Sequence, residues 1–191
     1  MRPRLVLASV STLLALSISV PVRADVRDDI KAGKIVSISI PESGVWPGRA
    51  MGVVDAPADK VFAVLADFGA YQNFVPRVVG SKHLNGNLYE IRARFPWPVN
   101  ETRVEVEVQK GSRGSTYIVR WKMRKGSSLK KYEGTAWIQP WGKDRSLVTY
   151  QMLAEPKVVA PHGVMISGLR KAAAGVIRAV RDRVAIRTAS R

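Results

Sequence analysis

Between Val78 and Ala154 apolar and polar residues alternate with a period of two, and after Pro161 the alternation gives way to a stripe of helical spacing. Period two sets one face of a strand against a core and the other against water. The pattern predicts strands at Val78 to Leu84, Leu88 to Phe95, Thr102 to Gln109, Ser115 to Met123, Leu129 to Trp141 and Arg145 to Ala154. Asn85-Gly86-Asn87, between the first two, is a strong hairpin signal. Val104, Val106 and Val108 alternate with charged neighbours; Tyr117, Val119, Trp121 and Met123 oppose Arg120 and Lys122; Val148, Tyr150 and Met152 oppose Thr149 and Gln151. Such half-polar strands belong to an antiparallel sheet with one wet face.

Upstream, Lys34 to Ile40 and Trp46 to Asp55 read as two further strands, after a short polar helix over Asp25 to Gly33. Val61, Val64, Leu65 and Phe68 then fall at i, i+3, i+4 and i+7, one face of an amphipathic helix. Pro57 suits its first position and Asp59 its first turn. Ala70 to Val75 predicts a second short helix stopped by Pro76, with Asp67 as its side-chain cap. The last helix spans about Pro161 to Ala185, its stripe formed by Met165, Leu169, Ala172, Ala173, Val176, Ile177, Val180 and Val184, and Ile186 to Arg191 reads as a disordered tail. A strongly curved sheet gripping this helix, its open end closed by the two small helices, buries all these faces and leaves room for an apolar pocket.

The first 24 residues stand outside that scheme. Arg2 and Arg4 precede an uncharged apolar run from Leu5 to Val20, and Val22-Arg23-Ala24 offers a cleavage site, the pattern of an export signal. Residues 25–185 are then expected to form one domain, periplasmic or secreted, and monomeric. Loss of Arg2, Arg4 and Arg23 lowers the formal charge of +16 by three and leaves a strongly basic protein. That field favours anionic partners. Export argues against nucleic acid, so peripheral contact with an anionic membrane is the expectation, through Lys122 to Lys131 and the C-terminal arginines. Without cysteine there is no disulfide framework and no thiol chemistry.

Candidate catalytic chemistry is sparse. His83 and His162 are the two histidines, and neither is tied by motif to a carboxylate or nucleophile. No metal site, cofactor or phosphate loop is expected. The aromatic residues carry more promise. Tyr89, Phe95, Trp97, Trp121, Tyr132, Trp137 and Tyr150 supply wide apolar walls with polar handles, and Met123, Met152 and Met165 add adaptable lining. Tyr71, Phe74 and Val75 are candidates for the rim of an entrance, and Leu169 for the helix face above the cavity. Arg92 and Arg94 share a strand face with Glu90, solvated in the register opposite Tyr89 and Ile91, and a buried anion anchor in the reversed one.

Three stretches resemble a known family. DAPADKVFAVLADFGAYQNFVPRVVGSKHL is similar to a pattern of strand, "A-P-x-x-x-V-W/F-x-V-L-x-D-(F/Y)", aromatic short helix and "(M/V)-P-x-V". Phe95-Pro96-Trp97-Pro98-Val99 with Arg103 resembles "P-(F/W)-P-(V/L)-x-x-R-x", and a basic amphipathic helix follows Ala160-Pro161. In this order they resemble the START-like helix-grip superfamily, also called SRPBCC, and within it the polyketide cyclase/dehydrase and coenzyme Q-binding group. The likeness runs from about Val45 to Val184. It implies an α+β helix-grip fold, a curved antiparallel sheet wrapped around a long C-terminal helix with two short helices after an early strand. It further implies a cavity for a lipid, sterol, quinone or polyketide, held for binding or transfer; the alternative is a cyclase/dehydrase-like enzyme using a polar pair such as Arg92 with Glu90 or Tyr150.

Overall fold

The computed structural model describes residues 24–38, 48–95, 100–159 and 161–189. The expected export segment up to Arg23, and Trp97, lie outside them. In chain order the elements are α1 (Ala24–Lys31), β1 (Val36–Ile38), β2 (Gly48–Val54), α2 (Ala58–Leu65), a 3-10 helix (Phe68–Asn73), β3 (Val78–Asn85), β4 (Leu88–Arg94), β5 (Glu101–Arg113), β6 (Thr116–Gly126), β7 (Leu129–Pro140), β8 (Ser146–Pro156) and α3 (His162–Ala189). Eight described strands form one antiparallel sheet in the order β1-β2-β8-β7-β6-β5-β4-β3. The last strand of the meander thus pairs back onto β2, which joins the two halves of the chain.

The alternating faces sort as the sequence predicts. Val104, Val106, Val108, Val119, Trp121, Ala136, Ile138, Val148 and Tyr150 enter one core together with Val61, Val64, Leu65 and Phe68 and the α3 stripe of Leu169, Ala173, Val176, Ile177, Val180 and Val184. α3 continues to Ala189, past the expected end at Ala185. It lies directly on β2, where a Cβ at Gly48 would meet Leu169 Cβ at 2.8 Å and the Leu169 carbonyl closer still. Lower down, Arg181 Nε donates to the Val53 carbonyl at 2.7 Å, which fastens the helix to the same strand.

The outer face is partly covered too. Ile30, Val53 and Leu147 are buried there with Val26, Val36, Met51 and Trp141 packed around them, so α1 roofs the β1–β2–β8 corner. Ile35 instead packs against the main core, so the chain entering β1 carries apolar residues to both faces.

Two local expectations fail. The second short helix forms, as a 3-10 helix over Phe68–Asn73, but the expected cap does not: Asp67 at its N-cap makes no side-chain capping hydrogen bond. The turn is held from outside: Gln72 N–H donates to Ser81 Oγ and Ser81 N–H to Gln72 Oε1, both at 3.0 Å, while Ser81 Oγ donates to the Gly69 carbonyl at 2.8 Å. The β5–β6 and β6–β7 connections are also tighter than expected, because the glycine-bearing segments Lys110 to Arg113 and Arg124 to Gly126 pair as strand.

Candidate functional site

Five strands contribute one residue each to a row across the inner face of the sheet: Gly48, Met152, Gly134, Trp121 and Val108 are successive cross-strand partners. The two glycines decide the shape of that row. A Cβ at Gly134 would lie 2.6 Å from Trp121 Cη2 and closer still to Cζ2, so the indole occupies the space above β7 that a side chain would fill. It reaches across to stack on Tyr150 of β8, with ring centroids 5.1 Å apart and planes 30° from parallel. Tyr132 packs against the same indole at 6.5 Å, and Phe68 from the 3-10 helix at 5.8 Å.

Phe68 continues the cluster outward. It stacks on Tyr71 at 4.4 Å and tilts against Tyr89 at 5.9 Å. Tyr71 is buried and its hydroxyl donates to the Leu65 carbonyl at 2.7 Å, so it closes the C-terminal end of α2 rather than forming an entrance rim. Val75 is buried likewise. Phe74 stays half-buried, edge-on to Tyr71 at 5.4 Å with the Arg183 guanidinium 5.9 Å from its ring centre.

The interior keeps its phenols neutral. Burial raises the Tyr71 phenol well above its ordinary value, with Tyr132 and the Asp67 carboxylate adding to the effect. Burial does the same to Tyr150, with Tyr132 and Tyr71 contributing. Burial pushes Tyr132 up to about 12, offset in part by the Trp121 N–H, which favours the phenolate. Tyr132 nonetheless retains accessible surface of an intermediate extent. Trp121 is only 2% exposed, and its Nε1 has no partner at hydrogen-bonding geometry.

The remaining sequence candidates divide clearly. Met152 is buried in the core and Met123 is half-buried against it. Leu169 is buried on α3, whereas Met165, one turn earlier, is half-exposed and outside the packed group. Phe95 sits past the end of β4, partly buried. Trp137 pairs with Thr149, which pairs with Met51, and so belongs to the outer face. Arg92 and Arg94 are exposed on that outer face, where Arg94 pairs with Glu101 at 3.5 Å; the buried anchor of the reversed register does not form. Glu90 is buried on the outer face between Lys82 and Arg103, so it does not meet Tyr150. His83 is exposed and its ring bonds the Gly86 carbonyl at 2.8 Å. Phe68 and Gly134 went unassigned; a glycine inside an alternating strand was the available signal for the second.

Elsewhere, an open cleft of about 370 Å³ lies between the start of α2 and the β5–β6 and β7–β8 turns, lined by Asp59, Ser112, Tyr117, Lys143 and Arg145 among others. Among the described residues, no group of three or more His, Asp or Glu is placed to hold a metal ion, and no helix is long and apolar enough to cross a membrane.

A curved antiparallel sheet closed over an aromatic interior by a long C-terminal helix is the START-like helix-grip architecture, also called SRPBCC. The chain belongs to the polyketide cyclase / dehydrase and lipid transport family, which it matches over residues 51–185. Solved structures agree at the level of fold. A STAR-related lipid transfer protein from Xanthomonas axonopodis superposes with a TM-score of 0.66 at 22% identity, over 79% of this chain and 92% of that one. A START superfamily protein from Mycobacterium smegmatis gives 0.62 at 17%, over 78% and 96%. A Thermus thermophilus protein gives 0.58 at 17%, over 72% and 96%. No curated protein matches the chain in sequence.

Proposed function

We propose that the protein is an exported START-like carrier that binds a hydrophobic, lipid-like molecule non-covalently between the sheet and α3 and transfers it between membranes. The observation that carries this reading is the cluster of aromatic and thioether side chains, Trp121, Tyr132, Tyr150, Met123 and Met152, in the core that the sheet shares with α3, in a chain of a family described by cyclase/dehydrase chemistry and lipid transport. Flat, rigid rings and adaptable Met side chains suit a large apolar guest. The similarity to the Xanthomonas lipid transfer protein is consistent with it. Export rests on the charged and apolar pattern of residues 1–24.

Transfer requires a docking surface. Val158, Val159 and Val164 are exposed at the β8–α3 junction, Val159 almost completely at 99%. The β6–β7 turn lies beside them, since Lys157 N–H donates to the Ser128 carbonyl and Lys157 Nζ to the Gly126 carbonyl at 3.1 Å. The strand ends that flank this turn carry Arg124, Lys125, Lys130 and Lys131, of which Arg124 pairs with Glu107, Lys130 with Glu155 at 3.8 Å and Lys131 with Glu133 at 2.8 Å. Apolar side chains flanked by cations suit an anionic bilayer, at roughly 1 kcal/mol per basic residue near the surface. The carrier reading is tested by native mass spectrometry of the purified protein with extraction and identification of co-purifying lipid. A protein that stays empty when offered lipids, sterols and quinones sinks it.

A further inference from the structure

The C-terminal half of α3 carries two guanidinium groups that each keep a buried nitrogen without a hydrogen-bond partner, Nη2 of Arg181 and Nε of Arg183. A charged donor left unmatched inside a protein bears its whole desolvation cost, so such a group calls for a partner or a role. The two lie in different surroundings.

Arg181 is closed in. Its Nε donates to the Val53 carbonyl, and its Nη2 lies against Gly52, where a Cβ would meet it at 3.2 Å, Ile177 at 3.2 Å and Ile35 at 3.0 Å, so the space above that strand is filled. Its task is to fasten the helix to β2. Arg183 is open on one side, because it and the Phe74 ring beneath it are both half-buried, with the guanidinium carbon 5.9 Å from the ring centre. A cation over an aromatic face uses the flat side of the guanidinium and leaves the edge, where the N–H groups point, for other bonds. Among the described residues no carboxylate forms an ion pair with Arg183.

This guanidinium also stands at the margin of an apolar group. From Phe74 the rings lead inward, to Tyr71 at 5.4 Å, Phe68 at 4.4 Å and Trp121 at 5.8 Å, while Val176, Ala179 and Val180 are buried on the preceding turns of α3. A charge at the edge and an apolar body beyond it match an amphiphile with one acidic end. Nε and one Nη form the two-pronged edge that a pair of acid oxygens fits, so one contact would both satisfy the orphaned donor and pair the charge.

Resting on the carrier reading above, we infer that Arg183, backed by Phe74, anchors the acidic end of the guest, so that the protein selects amphiphilic anions, carboxylate or phosphate, over their uncharged counterparts.

Palmitate, hexadecyl phosphate and methyl palmitate test this, each displacing the hydrocarbon dye diphenylhexatriene from the purified chain at about pH 8, where the acids are ionised. The better acid is expected to bind about tenfold or more tighter than the ester, and the order of the two acids tells carboxylate from phosphate. Acetate and inorganic phosphate should not compete with that acid; displacement by either at matched concentration overturns the assignment to an amphiphile. Arg183→Gln should weaken the acid by about tenfold, and Arg183→Lys, which restores the charge without the two-pronged edge, should recover part of the loss. Arg181→Gln should leave the acid-to-ester ratio at its wild-type value. An ester that binds as tightly as both acids, a ratio unmoved by Arg183→Gln, or a ratio that falls in Arg181→Gln instead overturns the inference and leaves the carrier reading standing. Failure of the dye and of all three lipids to bind overturns both.

Discussion

Gly134 and Trp121 face each other across β7 and β6, and the indole sits where a Gly134 side chain would be: a Cβ there would come within 2.6 Å of Trp121 Cη2, and closer still to Trp121 Cζ2 and the Gln151 carbonyl oxygen. One obstacle is a ring locked by Tyr150 and Phe68, the other is backbone, so neither yields cheaply. Gly134→Ala is expected to cost about 3 kcal/mol and roughly 6–12 °C of Tm, the cost of overpacking a close-packed core. Near-ultraviolet circular dichroism reports the second half of the claim. The Trp121–Tyr150 stack should lose its signal in that variant, and an unchanged spectrum would show that the indole is not held by the missing side chain.

A second glycine governs the lid. Gly48 lets α3 rest on β2 so closely that a Cβ would lie 2.8 Å from Leu169 Cβ and closer still to the Leu169 carbonyl. Gly48→Ala should lift the first half of α3 while the Arg181–Val53 bond keeps its second half in place. Hydrogen exchange is the direct readout. Amides after Leu169 should exchange faster by about tenfold or more in the variant, with those around Val180 little changed. Uniform exchange along the helix would mean that the contact does not control docking.

Much of this architecture was legible because it depends on local period. The valine alternation in β5, the hairpin at Asn85-Gly86-Asn87 and the α3 stripe are one-dimensional signals with one three-dimensional solution. The site was legible only in part, because its geometry depends on register between distant strands. That Trp121 meets Tyr150 follows from β6 pairing with β7 and β7 with β8, with a glycine between the two rings. Arg92 and Arg94 needed the same information to be placed on the outer face. Trp137 was grouped with the inner aromatics by residue type although it alternates with the buried Ala136 and Ile138. Asp67 was read as a cap from residue type and position, whereas the turn is secured by Gln72 and Ser81, nine residues apart.

Tyr71 makes a specific contribution to stability. Its hydroxyl satisfies the Leu65 carbonyl at the end of α2, inside the protein. Tyr71→Phe keeps the ring contacts with Phe68 and Phe74 but leaves that carbonyl without this partner. A loss of about 1–2 kcal/mol is expected from urea unfolding, with an unchanged m-value. A neutral effect would mean that water replaces the phenol.

Vesicle binding separates charge from insertion at the β8–α3 junction. Sedimentation with phosphatidylglycerol vesicles should fall about tenfold for Val159→Asp, since the substitution removes an almost fully exposed apolar side chain and adds a repelled charge. Raising salt should weaken the wild-type protein only partly, because buried apolar area is not screened as charge is. Complete loss in salt together with a silent Val159→Asp would assign binding to the basic turn alone.

The buried phenols make the fold sensitive to alkali in a direction that can be worked out. Tyr132 titrates near its ordinary value of 10 when unfolded and at about 12 when folded, so between these the unfolded chain releases a proton that the folded chain retains. The contribution is therefore fully present below pH 10 and is lost as pH rises through 12. That difference corresponds to roughly 3 kcal/mol at the upper end, with Tyr71 and Tyr150 acting in the same direction. Urea midpoints should hold steady up to pH 10 and then fall, while the phenolate absorbance of the folded protein lags behind that of the unfolded chain. Tyr132→Phe should flatten part of the decline without abolishing it. If the midpoint falls equally steeply in that variant, ionisation elsewhere, such as loss of lysine charge, drives the alkaline transition.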